Sequence, residues 1–596
     1  MVLTEAVERR AGGRVFAGFL DMAKAYPSVW RKGLWCRLWE VGVRGRLWRV
    51  LRTLYSRCEV AVRVGGEADD WYEEFVGVRE GCVLSPLLFA IYINDLPSLL
   101  EKGDGGRVRM GGRVVHCLMF ADDIVILSST RQGLQRSFDI AGEFSKRWRF
   151  KFNFGTDKTA VMVFGGVGEG EGWTLVGREV PVVESYRYLG VRMVSKGRSR
   201  WRVRREELLA KARGAFWRAW GLGMAGGWMS ARGAKGLWET LVRPVLEYGA
   251  EVDSGKWEEA EVLQRLAGRM CLGVGRETPN EVVMGDLGWW TVQGRREYLR
   301  LVYWGKVVRE KEGGVVRAVY EEGRRRMESG TTGKGEWCVE TKRLLVEVGL
   351  GDKWKTEEVG GEARWKALVK GVVHLREEMR WRNSAMTKPT LERYVRTKTV
   401  LRAEWFLGES RVWVRRWVRM RAGASCLEVS MGRRRRVFRD KRVCGWCGEG
   451  RVEDEEHFLD ECKGWRKERR ELWEEVRVED ERMERRVGWW PRWERVDWLL
   501  GGGTSKTRQL VLKAVGRWVY RREKAGSGKK GSETWGERLS ALTQSRIAGQ
   551  TAGEAARRSG RAERRIERAV AEAGRLAATG AAAAAIAAGG RVCVEG

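Results

Sequence analysis

The stretch His116 to Ser128, HCLMFADDIVILS, limits what this chain can fold into more than any other. Cys117 to Phe120 and Ile124 to Leu127 are short apolar runs and read as two strands. Only Ala121-Asp122-Asp123 separates them, so the pattern predicts a hairpin with two carboxylates at its tip. Adjacent negative charges repel unless a cation or a basic partner offsets them. A solvated surface turn can carry an Asp-Asp pair too, but the flanking runs here are too apolar to lie in water. The pattern favours a buried hairpin that holds a metal.

A partner for this pair stands upstream. Val15 to Leu20 reads as a buried strand that ends at Asp21, after an amphipathic helix over Leu3 to Arg10. A lone Asp after a strand ordinarily caps a helix. Combined with a later Asp-Asp hairpin it becomes a candidate metal ligand. Between the two, Gly77 and Gly81 permit a close backbone approach to a nucleic acid. Pro86 suits the first turn of an apolar helix over Leu87 to Leu96.

Five segments follow one another in a meaningful order: FLDMAKAYPSVW, GVREGCVLSPLLFAIYINDL, FADD, KFNFGTDKTAVMV and SYRYLGV. They resemble motifs A, B, C, D and E of reverse transcriptases, and the chain as a whole resembles a non-LTR retrotransposon RNA-directed DNA polymerase. The resemblance implies that Asp21, Asp122 and Asp123 hold two Mg²⁺ (or Mn²⁺) for nucleotidyl transfer. It places Tyr26 beneath the incoming sugar and gives Arg79 and Gly81 to substrate binding. Asn153 and Lys158 occupy the motif D slots; Lys158 is read either as a neighbour of the leaving pyrophosphate or as an ordinary solvated charge. Ser185 to Val191 is read as the primer grip or as a plain edge strand. Three positions depart from the family pattern: Pro27 stands where Asp is usual, Glu80 where Gln is usual and Val83 where Pro is usual. Glu80 is read as altering template contact or fidelity, or as a mark of decay.

Charge agrees with a polyanionic partner. Lys plus Arg number 113 against 80 Asp plus Glu, a net charge of +33. That balance does not separate an enzyme from a passive binder. Eleven cysteines in 596 residues do not make a disulfide scaffold, and an intracellular setting, nucleus and cytoplasm, is expected. No run of about 20 apolar residues is present, so no membrane partner is expected. The 32 tryptophans and 77 glycines share G-rich codons, and the sequence offers no packing reason for the former.

Downstream, helical patterns dominate from Arg198 to Gly249, and Arg202, Arg204, Arg205, Lys211 and Arg213 read as one basic helix face or as a merely solvated one. The Arg433 to Arg436 run precedes CGWCGEGRVEDEEHFLDEC. There Cys444, Cys447, His457 and Cys462 form a C-x2-C-x9-H-x4-C pattern that fits closed tetrahedral Zn²⁺ coordination. A redox CxxC is the alternative, but it leaves His457 and Cys462 without a role. The segment resembles the C-terminal zinc knuckle of the same polymerases, and the basic run suggests nucleic-acid binding. Charged helices are expected over Cys462 to Arg486 and Leu510 to Lys524.

The expected fold is α+β: a polymerase palm, an antiparallel sheet with helices on one side, then a mostly helical thumb and a small CCHC zinc site. The expected division is a palm over residues 1–164, a linker and primer-grip hairpin over 165–195, and a thumb and connection over 196–310. A helical region without an assigned role follows over 311–430, then the basic run and zinc knuckle over 431–486, helices over 487–524 and a low-complexity tail over 525–596. The family places a fingers subdomain before motif A, and Asp21 lies about 20 residues from the start. The sequence is therefore expected to lack that subdomain, to bind an RNA template and a DNA primer or target, and to extend primers with deoxynucleoside triphosphates poorly. The alternative is an inactive relic that only binds nucleic acid; a host interaction protein is a third reading.

Overall fold

The computed structural model describes residues 2–526, apart from 10–12, 65–66, 69, 104–105, 107, 111, 166–171, 196–199, 225–228, 254, 312–313 and 332–335. Most of the expected linker over 165–172, and nearly all of the tail over 525–596, lie outside the described residues. The described chain forms two compact units, one over 1–200 with 310–330, the other over 201–309 with 331–526. The expected helical region over 311–430 is thus divided. Its helix Val315–Glu328 belongs to the first unit, where Val319 is fully buried in an apolar cluster with Val2, Leu3, Ala6 and Val7 of the helix Val2–Arg9.

The first unit is built round the strand Val15–Met22. It pairs antiparallel with Asp123–Ser128 on one side and with Ala160–Phe164 and Phe152–Asn153 on the other. Cys117–Phe120 adds an outer strand beyond Asp123–Ser128. The central strand is apolar nearly throughout because both faces of the sheet are covered. Phe16, Leu20 and Met22 enter one core with helices Ser85–Ile93 and Arg131–Arg147. Val15, Ala17 and Phe19 enter another, with Tyr186, Met193 and the helix Val2–Arg9. The helix Arg131–Arg147 lies close on the sheet because Gly18 has no side chain; a Cβ there would stand 2.5 Å from the Phe138 ring. Burying Phe138 completely contributes roughly 1.5–3 kcal/mol.

Two expected elements are broken. The apolar run Leu87 to Leu96 is two helices, Ser85–Ile93 and Leu96–Lys102, because Pro97 disfavours continued helix through the residue before it. The charged run Cys462 to Arg486 is likewise split at Asp480 into Arg466–Glu479 and Glu481–Val487.

The second unit is helical, and its core gives the tryptophans the packing role that composition hides. Trp238, Trp304, Trp365 and Trp417 are fully buried there. Several arginines are buried as well, each against a carboxylate: Arg421 with Asp286 at 3.0 Å, and Arg522 with Glu453 at 2.7 Å. Among the described residues no helix is long and apolar enough to cross a membrane.

Candidate active site and metal centre

The register of the central strand decides where its carboxylate lies. Leu20 pairs with Ile124, so the next step of the same antiparallel register sets Asp21 opposite Asp123. Phe120 pairs with Asp123, leaving Ala121 and Asp122 as the turn. Asp123 is thus the first residue of its strand, and only Asp122 occupies the tip; Ala121 takes the left-handed conformation, φ +52°, that closes so tight a loop. Three carboxylates that are about 100 residues apart in sequence meet at one end of the sheet.

The neighbours of Asp21 hold it firmly. Its backbone N–H donates to the Thr159 hydroxyl at 3.2 Å, and Asn153 Nδ2 donates to Oδ2 at 2.6 Å. Lys158 Nζ is 3.7 Å from Oδ1. Burial first, then Asp122 and Asp21, push the Asp123 carboxyl above the ordinary carboxylate range, and Lys158 opposes this. Tyr186 and Tyr188 lie on the same face. Tyr186 stacks on Phe19 with ring centroids 4.1 Å apart, and its hydroxyl donates to the Lys158 carbonyl. Burial and the Asp123 charge push Tyr188 up to about 12. Ser185–Tyr188 and Val191–Val194 form a two-stranded hairpin of their own.

Sequence reasoning passed over Thr159, Tyr186 and Tyr188 as neighbours of this site. An apolar-strand reading does not show which tyrosines face a carboxylate; the alternation of Phe19 and Asp21 on one strand face is the signal that would have.

Tyr26 packs against Phe89 with centroids 5.2 Å apart, in the turn that follows the strand. That turn is clamped from the side: Gly77 N–H donates to Val29 and Val78 N–H to the Tyr26 carbonyl, at 2.8 and 2.9 Å. Gly77, expected to allow a close approach of nucleic acid, instead allows the approach of Pro27. A Cβ there would be 2.8 Å from the Pro27 carbonyl oxygen, and φ is +86°. Gly81, φ +77°, is exposed and open on all sides. Arg79 is exposed, with its guanidinium 5.7 Å from the Tyr55 ring centre. Among the described residues no hydrogen bond or ion pair joins Arg79 or Gly81 to the three aspartates.

The basic helix face is corrected. In the helix Arg200–Ala219, Arg204 is buried and donates to the Tyr248 and Gly249 carbonyls, and Arg205 pairs with Asp253. Arg202 pairs with Glu206 one turn on. Arg202, Lys211 and Arg213 stay exposed, but at 100° per residue they point in different directions.

In the second unit, Cys444, Cys447, His457 and Cys462 bring one ligand atom each to within 4.8 Å of one another. Cys444 Sγ and Cys462 Sγ are 3.7 Å apart, and Cys447 Sγ is 3.4 Å from His457 Nε2. A tetrahedral site with bonds of about 2.3 Å to sulfur and about 2.0 Å to nitrogen requires edges of roughly 3.8 and 3.5 Å. The donor set therefore fits a closed tetrahedral cation. His457 is delivered by a wide turn, His457–Glu461, closed by the Cys462 N–H on the His457 carbonyl at 2.7 Å. Glu461 lies 3.5 Å from His457 Nδ1, where it orients the ring. Burial pushes the Cys462 thiol up to about 12, with the Gly464 amide pulling the other way; only a cation reverses such a shift. Of the nearby arginine run, Arg434 donates to the Ala424 and Ser425 carbonyls and Arg435 pairs with Glu428. Arg433 and Arg436 are exposed and have no ion-pair partner among the described residues.

Residues 3–193 match the family model described as reverse transcriptase (RNA-dependent DNA polymerase). The chain is 30% identical over 123 residues to the retrovirus-related Pol polyprotein from type-1 retrotransposable element R2 of Nasonia vitripennis, covering 21% of this chain and 12% of that protein. It is 25% identical over 185 residues to the RNA-directed DNA polymerase from mobile element jockey of Drosophila melanogaster, covering 30% and 19%. It is 26% identical over 191 residues to the corresponding polyprotein from the type-2 element R2DM of the same fly, covering 30% and 18%. The matched segments thus span less than a fifth of each of these relatives.

Proposed function

Residues 3–193 belong to the reverse transcriptase family, and we propose that the chain works as the RNA-directed DNA polymerase of a non-LTR retrotransposon, extending a DNA primer on an RNA template with deoxynucleoside triphosphates. The observation that carries this reading is the register that sets Asp21 opposite Asp123, with Asp122 in the adjoining turn. Three carboxylates beside a single lysine are short of positive charge, which suits all-oxygen coordination of Mg²⁺ or Mn²⁺ by Asp21, Asp122 and Asp123. When bound, such metals lower the pKa of a primer hydroxyl and neutralise triphosphate charge.

The chain's own residues do the rest. Asn153 and Thr159 keep Asp21 aimed at the sheet's end. Lys158, already beside Asp21, is the group that meets the leaving pyrophosphate. Tyr26, backed by Phe89, lies beneath the sugar of the incoming nucleotide. Arg79 and Gly81, both exposed, contact the template strand and the nucleotide opposite it. One structural Zn²⁺ held by Cys444, Cys447, His457 and Cys462 supports a nucleic-acid contact through Arg433 and Arg436.

The test is primer extension on an RNA template by the purified chain, against Asp122→Asn. Loss of extension in the variant by about 10²-fold or more supports the reading; equal extension by both overturns it. Glu80, an exposed carboxylate where the family has Gln, favours a second reading in which the chain binds nucleic acid without turnover. RNA binding without extension by the wild type, and extension by Glu80→Gln, would select that reading.

A further inference from the structure

The helices Val292–Val308 and Trp337–Glu347 and the segment carrying Asp253 enclose a cavity of about 290 Å³ in the second unit. Its lining is almost entirely charged: Arg296, Arg300 and Arg343 against Asp253, Glu297 and Glu340. Every carboxylate in it already has an arginine. Asp253 accepts from Arg296 at 2.5 Å and also from Arg205. Glu297 accepts from Arg376. Glu340 accepts from both Nε and Nη2 of Arg343, at 3.2 and 2.7 Å.

Arg300 is left over. It is 3% exposed, and neither of its terminal nitrogens has a hydrogen-bond partner among the described residues. Burial lowers its pKa to about 10, so it remains charged at neutral pH. A buried guanidinium without an anion is strongly unfavourable. Two further polar atoms of the lining are also unsatisfied, Arg296 Nε and Gln293 Oε1. The Gln293 amide is oriented by its Nε2, which donates to Glu297 at 3.0 Å, so Oε1 is a true acceptor. The unfilled requirements are therefore a negative ion that accepts from a planar fork of donors and that carries one proton to donate.

We propose that this cavity binds a phosphate oxyanion in its monoprotonated form, clamped by Arg300 and Arg296 with Gln293 taking the phosphate proton. The fork of Arg300 matches two oxygens of a tetrahedral oxyanion. The volume is at the lower edge for ligand pockets, which admits a phosphate with a few waters and excludes a nucleotide. Sulfate, fully ionised at neutral pH, leaves Gln293 unsatisfied and is the weaker ligand. Free inorganic phosphate and the terminal phosphate of a polynucleotide share this chemistry.

Thermal unfolding of the full chain in sodium phosphate, against sodium chloride and sodium sulfate at equal ionic strength, tests the site. Phosphate is expected to raise the Tm by about 3 °C or more over chloride, with sulfate intermediate. Arg300→Met should abolish the difference and, in chloride, should be at least as stable as wild type, because the unpaired charge is gone. A 5′-phosphorylated oligonucleotide that stabilises wild type beyond its 5′-hydroxyl counterpart, where free phosphate does not, assigns the site to polynucleotide ends; the reverse pattern assigns it to the free ion. Equal Tm values in phosphate and chloride, together with equal effects of the two oligonucleotides, overturn the proposal. So does a phosphate shift that survives in Arg300→Met, since it then comes from the basic surface. Should Arg300→Met fail to fold, Arg300→Lys keeps the charge without the fork; an undiminished shift in that variant overturns the proposal equally, and a reduced one supports it.

Discussion

Asp123 is the residue whose environment is most costly. Its pKa is raised by burial and by two carboxylate neighbours, so its ionised form is disfavoured in the folded state. The sign follows from linkage. A carboxyl with a raised folded pKa leaves stability intact below its unfolded value, near 4, and removes stability as pH rises through the folded value. Metal-free wild type is therefore expected to lose stability relative to Asp123→Asn as pH rises from about 4 toward neutrality, and Mg²⁺ is expected to reverse the order at neutral pH. Melts of both proteins across that range, with and without Mg²⁺, check this; a constant gap would show that the carboxylates do not interact. Tyr26 makes a second residue-scale prediction. If its ring underlies the incoming sugar, Tyr26→Ala should raise ribonucleotide incorporation by about tenfold, the effect of roughly 1.4 kcal/mol of lost discrimination. An unchanged ratio of ribo- to deoxyribonucleotide use would make Tyr26 a packing residue alone.

At the scale of elements, the zinc-type turn and the last helix are one structure. Glu453, fully buried in the Cys-His segment, accepts two bonds from Arg522 of Arg508–Gly526, at 2.7 and 2.8 Å. Phe458, next to His457, packs on Trp465 and Trp518. Removing the cation leaves three buried thiols and an imidazole with only one another, and the wide turn His457–Glu461 loses its anchor. The full chain is expected to carry one Zn²⁺ by metal analysis. His457→Ala with Cys462→Ala should lose it, lower stability by several kcal/mol, and speed amide exchange in both His457–Glu461 and Arg508–Gly526. Zinc retained in the double variant would exclude these ligands.

For the whole molecule, net charge overstates the charge available to a polyanion. Arg204, Arg296, Arg421 and Arg522 are spent inside, on carbonyls or carboxylates. RNA binding is expected to weaken by about 10³-fold between 50 and 200 mM salt, as for some six phosphate contacts, and no more steeply. Fluorescence anisotropy across salt concentrations measures the slope. A flat dependence would mean that the exposed cations do not meet phosphate.

The central strand, the Asp-Asp hairpin and the Cys-His spacing were legible in the residues alone, because each depends on a short local pattern. Strand periodicity sends Phe19 and Asp21 to one face, and four ligands within 19 residues need little chain to come together. Which side chains surround those features was decided by tertiary structure. Only the register could set Asp21 opposite Asp123, and only packing could turn Gly77 toward Pro27. The same holds for the arginines. Composition counts a guanidinium as surface charge wherever it stands, whereas Arg204, Arg300 and Arg421 are drawn inside by partners or cavities 44 to 135 residues away in the chain, or left there without one. Local pattern reports on chemistry within a few residues, and the electrostatics of a buried charge depend on neighbours that only the folded chain supplies.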